Sequence, residues 1–393
     1  MSGAGHDGHD GLACFGCHSP VYKDPYSIDK QNRYISRRKL GEGAFGQVHL
    51  ADDRETGNKV ALKSISCSLG GGGRHAASDT AAPRLPKAVF RELYAMRQLQ
   101  HANILPLLDV FPRADSVVLV LELMVTDLEA VLSACTAPMF EGEAKGWLAQ
   151  MFAGVAHMHS MGLLHRDLKP GNLLINSGGV LKIGDFGLTR VHDPECPRSM
   201  SHQVATRWYR APELLFGARR YTAAVDAWAA GCVLAELLFN KPLFPGQSDI
   251  DQLIRVLRVT GTPTAATWPG ACETPDFDKI AFAHMEPAPL AALCPGSSAQ
   301  AMGLLAALLT LDPLRRATAA DALCHDWFLC APAPIPPPQL HVPCVAAYSS
   351  SARMPAHGAE YLDGFDVQLD DDLSGDGGGG GIVMLQPAQE VAS

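Results

Sequence analysis

No stretch of this 393-residue chain is apolar for long enough to cross a bilayer, which takes about 20 consecutive residues. The run from Trp228 to Phe239 is interrupted by Glu236. Cationic excess is also missing: 32 Lys and Arg against 41 Asp and Glu leave a formal net charge of −9, so the basic patch that a nucleic-acid partner requires is not expected. The N-terminus offers neither a basic stretch followed by an apolar one nor a glycine at position 2, and neither secretion nor myristoylation is expected. The 11 cysteines are odd in number and follow no repeating framework. Reduced thiols with packing roles, in the cytoplasm or nucleus, are therefore expected, and no disulfide. Internal repeats are absent.

Composition divides what remains. Residues 1–33 are rich in Gly, His and Asp without a hydrophobic period, and read as a flexible extension. Within them Cys14-Phe15-Gly16-Cys17-His18 has the spacing of haem attachment, and His6 and His9 could join the cysteines around zinc. Haem attachment needs an exported chain and a zinc fold needs surrounding hydrophobics, so neither is expected. Residues 66–85 contain four consecutive glycines and read as a disordered insertion. Six prolines between Pro332 and Pro343 imply an extended segment, and the acidic, glycine-rich stretch from Asp370 to Gly381 implies disorder. The length allows one large two-lobed domain with tails or two to three ordinary domains.

Between those tails lie the informative motifs. Leu40 precedes Gly41-Glu42-Gly43-Ala44-Phe45-Gly46-Gln47-Val48, a spacing that dinucleotide-binding domains share. Here Val48 and Leu50 alternate with polar neighbours and Lys59 to Lys63 continues in extended style. The glycines thus join two strands and do not open a helix, which favours a lid whose backbone closes over nucleotide phosphates. A helix from Pro86 is expected from Val89, Leu93, Met96 and Leu99, and it places Glu92 where it can meet Lys63. An exposed Glu on a solvated helix is the alternative. Leu119 to Met124 reads as a buried strand leading into a linker, and Trp147, Met151, Val155 and Met158 as a core stripe.

Residues 165–172 read His-Arg-Asp-Leu-Lys-Pro-Gly-Asn and residues 185–187 read Asp-Phe-Gly. Asp167, Asn172 and Asp185 put carboxylate and amide oxygens at fixed spacing on turns. That arrangement resembles the catalytic loop and metal-binding turn of the protein kinases. From Asp185 to Glu213 the chain is similar to the activation segment of the cyclin-dependent-kinase-like (CMGC) enzymes, and the likeness extends over residues 34–330. Gly261-Thr262-Pro263, Trp268-Pro269, Pro275 to Ile280 and the Ala-Pro stretch after Phe328 most resemble the cell-cycle-related kinase branch, which includes the flagellar-length kinases of ciliated cells. The kinase-activating branch is the alternative.

This resemblance implies an α+β, bilobal eukaryotic protein kinase fold. An N-lobe antiparallel sheet with one regulatory helix would occupy residues 34–124, a mainly helical C-lobe residues 125–330 and a tail residues 331–393. It implies serine/threonine kinase activity with ATP and Mg2+ as cofactors. Asp167 and Lys169 would act on the reacting groups, with Lys63 on the phosphates and Glu92 fixing Lys63. Leu40, Gly41, Glu42, Gly43, Ala44, Phe45, Gly46, Val48, Ala61, Leu121, Glu122, Met124, Asp127 and Leu174 would line the ATP site, and Asn172 and Asp185 would bind magnesium. Ser201 would be the activating phosphosite, received by Arg91, Arg166 and Arg190 and modified by an upstream kinase. Thr206 and Arg210 would shape the substrate pocket. Asp226 and the Glu213–Arg316 pair would be structural supports. Protein substrates are the expected partners, with no nucleic acid or membrane, and the cytoplasm, the nucleus or the base of a cilium is the expected location.

Two departures matter. The stretch Pro86 to Glu92 keeps only the Pro, Arg and Glu of the usual cyclin-docking sequence, so the activator at Pro86 to Leu99 is a cyclin-like or another protein. Ala44 and Phe45 stand where relatives often carry an inhibitory Thr-Tyr pair, so that switch is expected to be missing. A pseudokinase scaffold would share the fold, but such chains usually lose the Lys, the catalytic Asp or the metal Asp, and all three remain here.

Overall fold

The computed structural model describes residues 30, 32–43, 46–66, 87–113, 116–192, 199–343 and 383–385. The extension with its Cys and His residues, nearly all of the glycine insertion, Pro86, Ala44, Phe45 and the acidic stretch Asp370 to Gly381 lie outside the described residues.

Five strands form an antiparallel sheet: β1 (Tyr34–Gly43), β2 (Gly46–Asp53), β3 (Lys59–Ser66), β4 (Leu107–Arg113) and β5 (Ser116–Glu122), in spatial order β1-β2-β3-β5-β4. Side chains alternate between its faces. Val60, Leu62, Val118 and Val120 join Tyr34 and Phe111 in an outer cluster, while Ala61, Ile65, Leu119 and Leu121 join the main core. Both faces are covered, which is why β5 reads as a continuous apolar run. Helix α1 (Lys87–Gln98) follows β3 in sequence and buries Val89 and Met96 in the main core, together with Leu99 just beyond its end.

The C-lobe starts with β6 (Thr126–Asp127), α2 (Leu128–Ala134) and α3 (Glu141–Ser160). On α3, Trp147, Met151, Val155 and Met158 are all buried, as their helical spacing predicts. Short strands β7 (Leu163–Leu164), β8 (Leu173–Ile175), β9 (Leu181–Ile183) and β10 (Arg190–Val191) bracket the loops that carry the motifs. Then come α4 (Pro212–Leu215), α5 (Ala224–Phe239) and α6 (Asp249–Thr260). Helix α5 is buried along nearly its whole length, as a helix apolar all round must be. The chain continues through β11 (Ile280–Phe282), α7 (Leu290–Leu293), α8 (Ala299–Leu308), α9 (Ala319–Leu323) and α10 (Asp326–Leu329). Arg316 Nη1 and Nη2 meet Glu213 Oε1 and Oε2 at 2.8 and 2.9 Å, both residues buried, and so tie α4 to the loop after α8. No described helix is long and apolar enough to cross a membrane.

The tail behaves differently from expectation in two places. The proline-rich run is extended apart from one 3-10 turn at Pro337–Gln339, but it does not leave the domain: Ile335 N–H donates to the Gly142 carbonyl at 2.9 Å and Leu340 is buried in the main core. Farther on, β12 (Val383–Leu385) pairs in parallel with β11, inside the region expected to be a disordered tail. Composition alone reports low local propensity, and these segments are placed by distant partners.

One buried carboxyl makes the fold sensitive to pH. Glu236 on α5 accepts a hydrogen bond from the Tyr209 hydroxyl at 2.6 Å, and burial, with the Glu129 charge adding to it, pushes its pKa up to about 7 despite that bond. A carboxyl whose folded pKa exceeds its unfolded value holds its proton more tightly in the native state. Its contribution is fully present below the unfolded pKa and is lost as pH rises towards 7. Wild type should therefore lose about 3 kcal/mol from this group over that window. Glu236→Gln, which keeps the shape, should flatten the loss in urea unfolding at pH 4.5 and pH 7.5. Identical pH dependence in the two proteins would remove Glu236 as the cause.

Candidate active site

The cleft between the lobes gathers the sequence motifs. Lys63 on β3 points to the inner face of the sheet with Ala61 and Ile65, and its Nζ meets Glu92 Oε1 of α1 at 2.5 Å. Glu92 is 3% exposed, so the solvated-helix alternative is set aside. α1 also packs on the turn at Phe186–Leu188, and Phe186 is fully buried with its ring edge-on to His165 at 5.6 Å. Leu40, Ala61, Leu121 and Met124 are buried in one cluster, with Val48 and Leu174 packed against it. These six give the cleft apolar walls suited to a flat aromatic base.

Around those walls, β1 and β2 close on each other through Gly43 and Gly46, with Gly41 and Glu42 leading in. Gly46 has φ 145, and a Cβ there would run into the Ser64 main chain, so only glycine fits. Ala44 and Phe45 of the same loop lie outside the described residues. At the strand end Glu122 accepts from Asn176 Nδ2 at 2.9 Å and pairs with Lys182 at 3.2 Å, which ties the linker to the C-lobe. Asp127 caps α2, accepting from Ala130 N–H at 2.8 Å, and burial raises its pKa against that bond.

Asp167 is the most heavily bonded of the motif residues. Its Oδ1 accepts from Thr206 N–H at 2.8 Å and from the Thr206 hydroxyl at 3.0 Å; its Oδ2 receives Asn172 Nδ2 at 3.1 Å and Lys169 Nζ at 3.1 Å. Lys169 Nζ also donates to the Thr206 hydroxyl at 2.8 Å, and Asn172 Nδ2 to the Asp167 carbonyl at 2.8 Å. The carboxylate is thereby held by four donors from three residues. Asp185 sits at φ 59, a left-handed conformation that Asp tolerates, and accepts from Gly187 N–H. His165 Nε2 bonds the Gly184 carbonyl at 3.0 Å and locks that turn to the catalytic loop. Asn172 and Asp185 bring one amide and one carboxylate oxygen to the cleft, hard donors of the kind magnesium takes.

The segment from Ser199 onward contributes two further features. Arg210 donates to the Val204 carbonyl at 3.0 Å, the Ala205 carbonyl at 3.2 Å and Asp249 at 3.0 Å, and Ala205 itself has φ 65. Ser201 is exposed. Arg91, Arg166 and Arg190 come together: burial lowers the Arg91 pKa, and the neighbouring charges of Arg190 and Arg166 lower it further. Arg166 Nη1 donates to the Tyr221 hydroxyl at 2.7 Å, and that hydroxyl donates to the Ser201 carbonyl at 2.7 Å.

The sequence motifs thus supplied the residues, and three contacts were missed. Tyr221 links Arg166 to the main chain of Ser201, His159 bonds Asp226 at 2.9 Å, and Thr206 bonds the Asp167 carboxylate directly. No local pattern marks them, because each partner lies dozens of residues away.

Comparisons with known proteins agree with this geometry. The model described as "Protein kinase domain" matches residues 34–328. Cyclin-dependent kinase 20 of Homo sapiens is 42% identical over 313 residues, covering 79% of this chain and 87% of that protein. Cyclin-dependent kinase D-1 of Oryza sativa subsp. indica is 42% identical over 325 residues, 82% of this chain and 73% of that one. Among solved structures, a chain of the CAK complex from Chaetomium thermophilum bound to ATP-gamma-S superposes with a TM-score of 0.71 at 35% identity, over 79% of this chain and 96% of that one.

The Thr206 contacts generate a test. Thr206→Val keeps the shape but removes the hydroxyl shared by Asp167 and Lys169. A hydrogen bond to a charged group is worth about 1.5–3 kcal/mol, so turnover should fall by roughly ten- to a hundredfold. Thr206→Ser should restore most of it. Equal turnover in Thr206→Val and wild type would show that the hydroxyl does not position Asp167.

Proposed function

The chain belongs to the protein kinase domain family, as a serine/threonine kinase of cyclin-dependent-kinase type, and we propose that it uses Asp167, Lys169, Lys63, Glu92, Asn172 and Asp185 to phosphorylate protein hydroxyls. One observation carries this reading: the Lys63–Glu92 pair is closed at 2.5 Å while Asp167 is held by Thr206, Lys169 and Asn172. The parts that must meet in the transition state are already together.

In this reading Lys63 holds the α and β phosphates of ATP, and Leu40, Val48, Ala61, Leu121, Met124 and Leu174 enclose the adenine. A substrate hydroxyl oxygen attacks the γ-phosphorus, the bond to the ADP oxygen breaks, and the hydroxyl proton passes to Asp167. Lys169 neutralises charge on the transferred group. Magnesium, held by Asn172 and Asp185, would supply neutralisation of the phosphate oxygens. The chain's own contribution is mostly positioning and preorganised charge. Arg210 donates to the carbonyls of 204 and 205, which leaves them less free to accept an N–H from the residue after the phosphoacceptor, and this supports a proline there, which has no N–H to satisfy.

Regulation is proposed at Ser201 and at α1. A phosphate on Ser201 brings about −1.5 to −2 charge to the Arg91, Arg166 and Arg190 cluster. Phe90 and Tyr94 of α1 are 58% and 51% exposed and Leu108 is 52% exposed, an apolar surface that supports a cyclin-like or other activator there. The stretches at 261–263 and 275–280 support a role in cell-cycle signalling or cilium and flagellum length, in the cytoplasm, the nucleus or at the cilium base. Likeness to Cyclin-dependent kinase D-1 and to the CAK-complex chain supports a second reading, phosphorylation of other cyclin-dependent or MAP-type kinases.

Two measurements check the proposal. Asp185→Ala should retain its thermal unfolding profile and lose more than about a hundredfold in phosphate transfer, since several kcal/mol of transition-state stabilisation go with the metal ligand. Turnover equal to wild type would sink the assignment and favour a scaffold. Phosphatase treatment and Ser201→Ala should each lower activity after incubation with an activating kinase; unchanged activity in both would remove the Ser201 switch and leave the catalytic assignment standing.

A further inference from the structure

The proline-rich run from Pro332 to Pro343 takes no part in phosphoryl transfer, yet the C-lobe is shaped around it. α3 carries Gly142 and Gly146 one turn apart on a single face, and the turn between β8 and β9 carries Gly179 at φ 73. Glycine weakens a helix interior relative to alanine, so its use here needs a reason. A Cβ on Gly146 would sit inside contact distance of the Ile335 carbonyl oxygen, and one on Gly179 would overlap the Pro337 carbonyl oxygen. One on Gly142 would come within 3.1 Å of the Ala333 carbonyl oxygen. Alternate residues of the extended chain, 333, 335 and 337, thus lay their carbonyls on the three glycines.

Polar groups match as well. Lys145, between the two helix glycines, is 0% exposed, and its Nζ donates to the Cys330 carbonyl at 2.8 Å and the Pro332 carbonyl at 2.7 Å, 5.4 Å from the centre of the Trp327 ring. A buried ammonium must have acceptors, and the strap supplies one of them through Pro332, the other coming from Cys330 just before it. In return Ile335 N–H donates to the Gly142 carbonyl at 2.9 Å, and Leu340, 6% exposed, seals the far end. Proline suits such a seat because it brings no N–H that burial would leave unpaired, and because its stiff backbone loses little freedom on docking. The protein kinase domain match stops at residue 328, before all of this.

We propose that the groove formed by α3 and the β8–β9 turn is a recognition site for an extended, proline-rich peptide. Residues 331–343 fill it in cis, and a comparable segment of another protein enters only when this strap leaves. The site does not rest on the catalytic assignment: Gly142, Lys145, Gly146 and Gly179, which hold the strap, are not among the cleft residues, although Asn176 of the same turn bonds Glu122.

Two full-length variants test it. Gly146→Ala would strengthen an ordinary helix; here it should expel the strap. Hydrogen exchange at the Ile335 amide should accelerate more than tenfold in Gly146→Ala while the amides of α3 stay protected, and unchanged protection would overturn the proposal. Leu340→Asp should open the groove, and its fold is checked by circular dichroism. A fluorescein-labelled synthetic peptide of residues 331–343 should bind Leu340→Asp at least tenfold more tightly than wild type, whose groove is filled. Adding Gly146→Ala to Leu340→Asp, or using a peptide with Pro334→Ala, Pro336→Ala and Pro337→Ala, should weaken that binding at least tenfold. Equal binding to wild type and Leu340→Asp, or no binding to folded Leu340→Asp, would overturn the proposal, as would indifference to the added Gly146→Ala or to loss of the prolines. If Leu340→Asp does not fold, the peptide measurement is made on full-length Leu340→Ala, with the same outcomes supporting or overturning the proposal.

Discussion

Two consecutive main-chain N–H groups, those of His165 and Arg166, both point at the Asp226 carboxylate, each at 2.8 Å, and His159 Nε2 reaches it at 2.9 Å. Asp226 is 1% exposed on the most deeply buried helix of the C-lobe. Burial pushes its pKa upward, but the hydrogen bond and charge of His159, the His165 ring and the Arg166 N–H hold it below the usual carboxylate range. The arrangement supports a strained backbone: Arg166 lies at φ 69, a left-handed conformation that disfavours a residue with a Cβ by about 1–2 kcal/mol. Two hydrogen bonds to a charged acceptor, about 1.5–3 kcal/mol each, are enough to offset it. Because Arg166 is turned this way, Asp167 beside it faces Thr206 and Lys169, and the placement of Asp167 depends on a contact buried behind it.

What could be read from the residues themselves was mostly what lies close together along the chain; of the distant pairs, Lys63–Glu92 and Glu213–Arg316 were expected with the help of the resemblance. Gly41 to Val48, His165 to Asn172 and Asp185 to Gly187 are short motifs whose chemistry is visible in consecutive residues; the alternation at Val48 and Leu50 and the extended run from Lys59 to Lys63 marked β2 and β3 as strands, while the sheet itself was implied by the resemblance. The contacts missed join residues far apart: Asp167 to Thr206 across 39 positions, Arg166 to Tyr221 across 55 and His159 to Asp226 across 67. A single chain offers no local signal for such pairs. The strap was missed for a further reason. Its composition is that of an extended linker, and its receptor is written as glycines and a lysine in α3, residues that ordinarily mark a weak, solvent-facing helix.

α1 carries the remaining tension in the cleft. Glu92 and Arg91 are adjacent, so any movement of the helix shifts both. The Glu92 carboxylate is drawn inward by Lys63, while burial disfavours the charged form of the Arg91 guanidinium, and the like charges of Arg190 and Arg166 add to this. Attraction is presently satisfied at close range. Among the described residues the repulsion is eased on the side where Arg166 is occupied by the Leu188 carbonyl and the Tyr221 hydroxyl. Tyr221 in turn bonds the main chain of Ser201, so the arginine nearest the catalytic Asp and the exposed serine of the activation segment share one hydroxyl. In the proposed reading, an anion arriving beside Ser201 would act on both terms at once: it would reduce the repulsion that opposes the inward position of α1, and compete with the Tyr221 hydroxyl for the Arg166 guanidinium. On that reading the position of α1 would follow from the difference between these opposing interactions, and one or two charges added beside Ser201 would shift it.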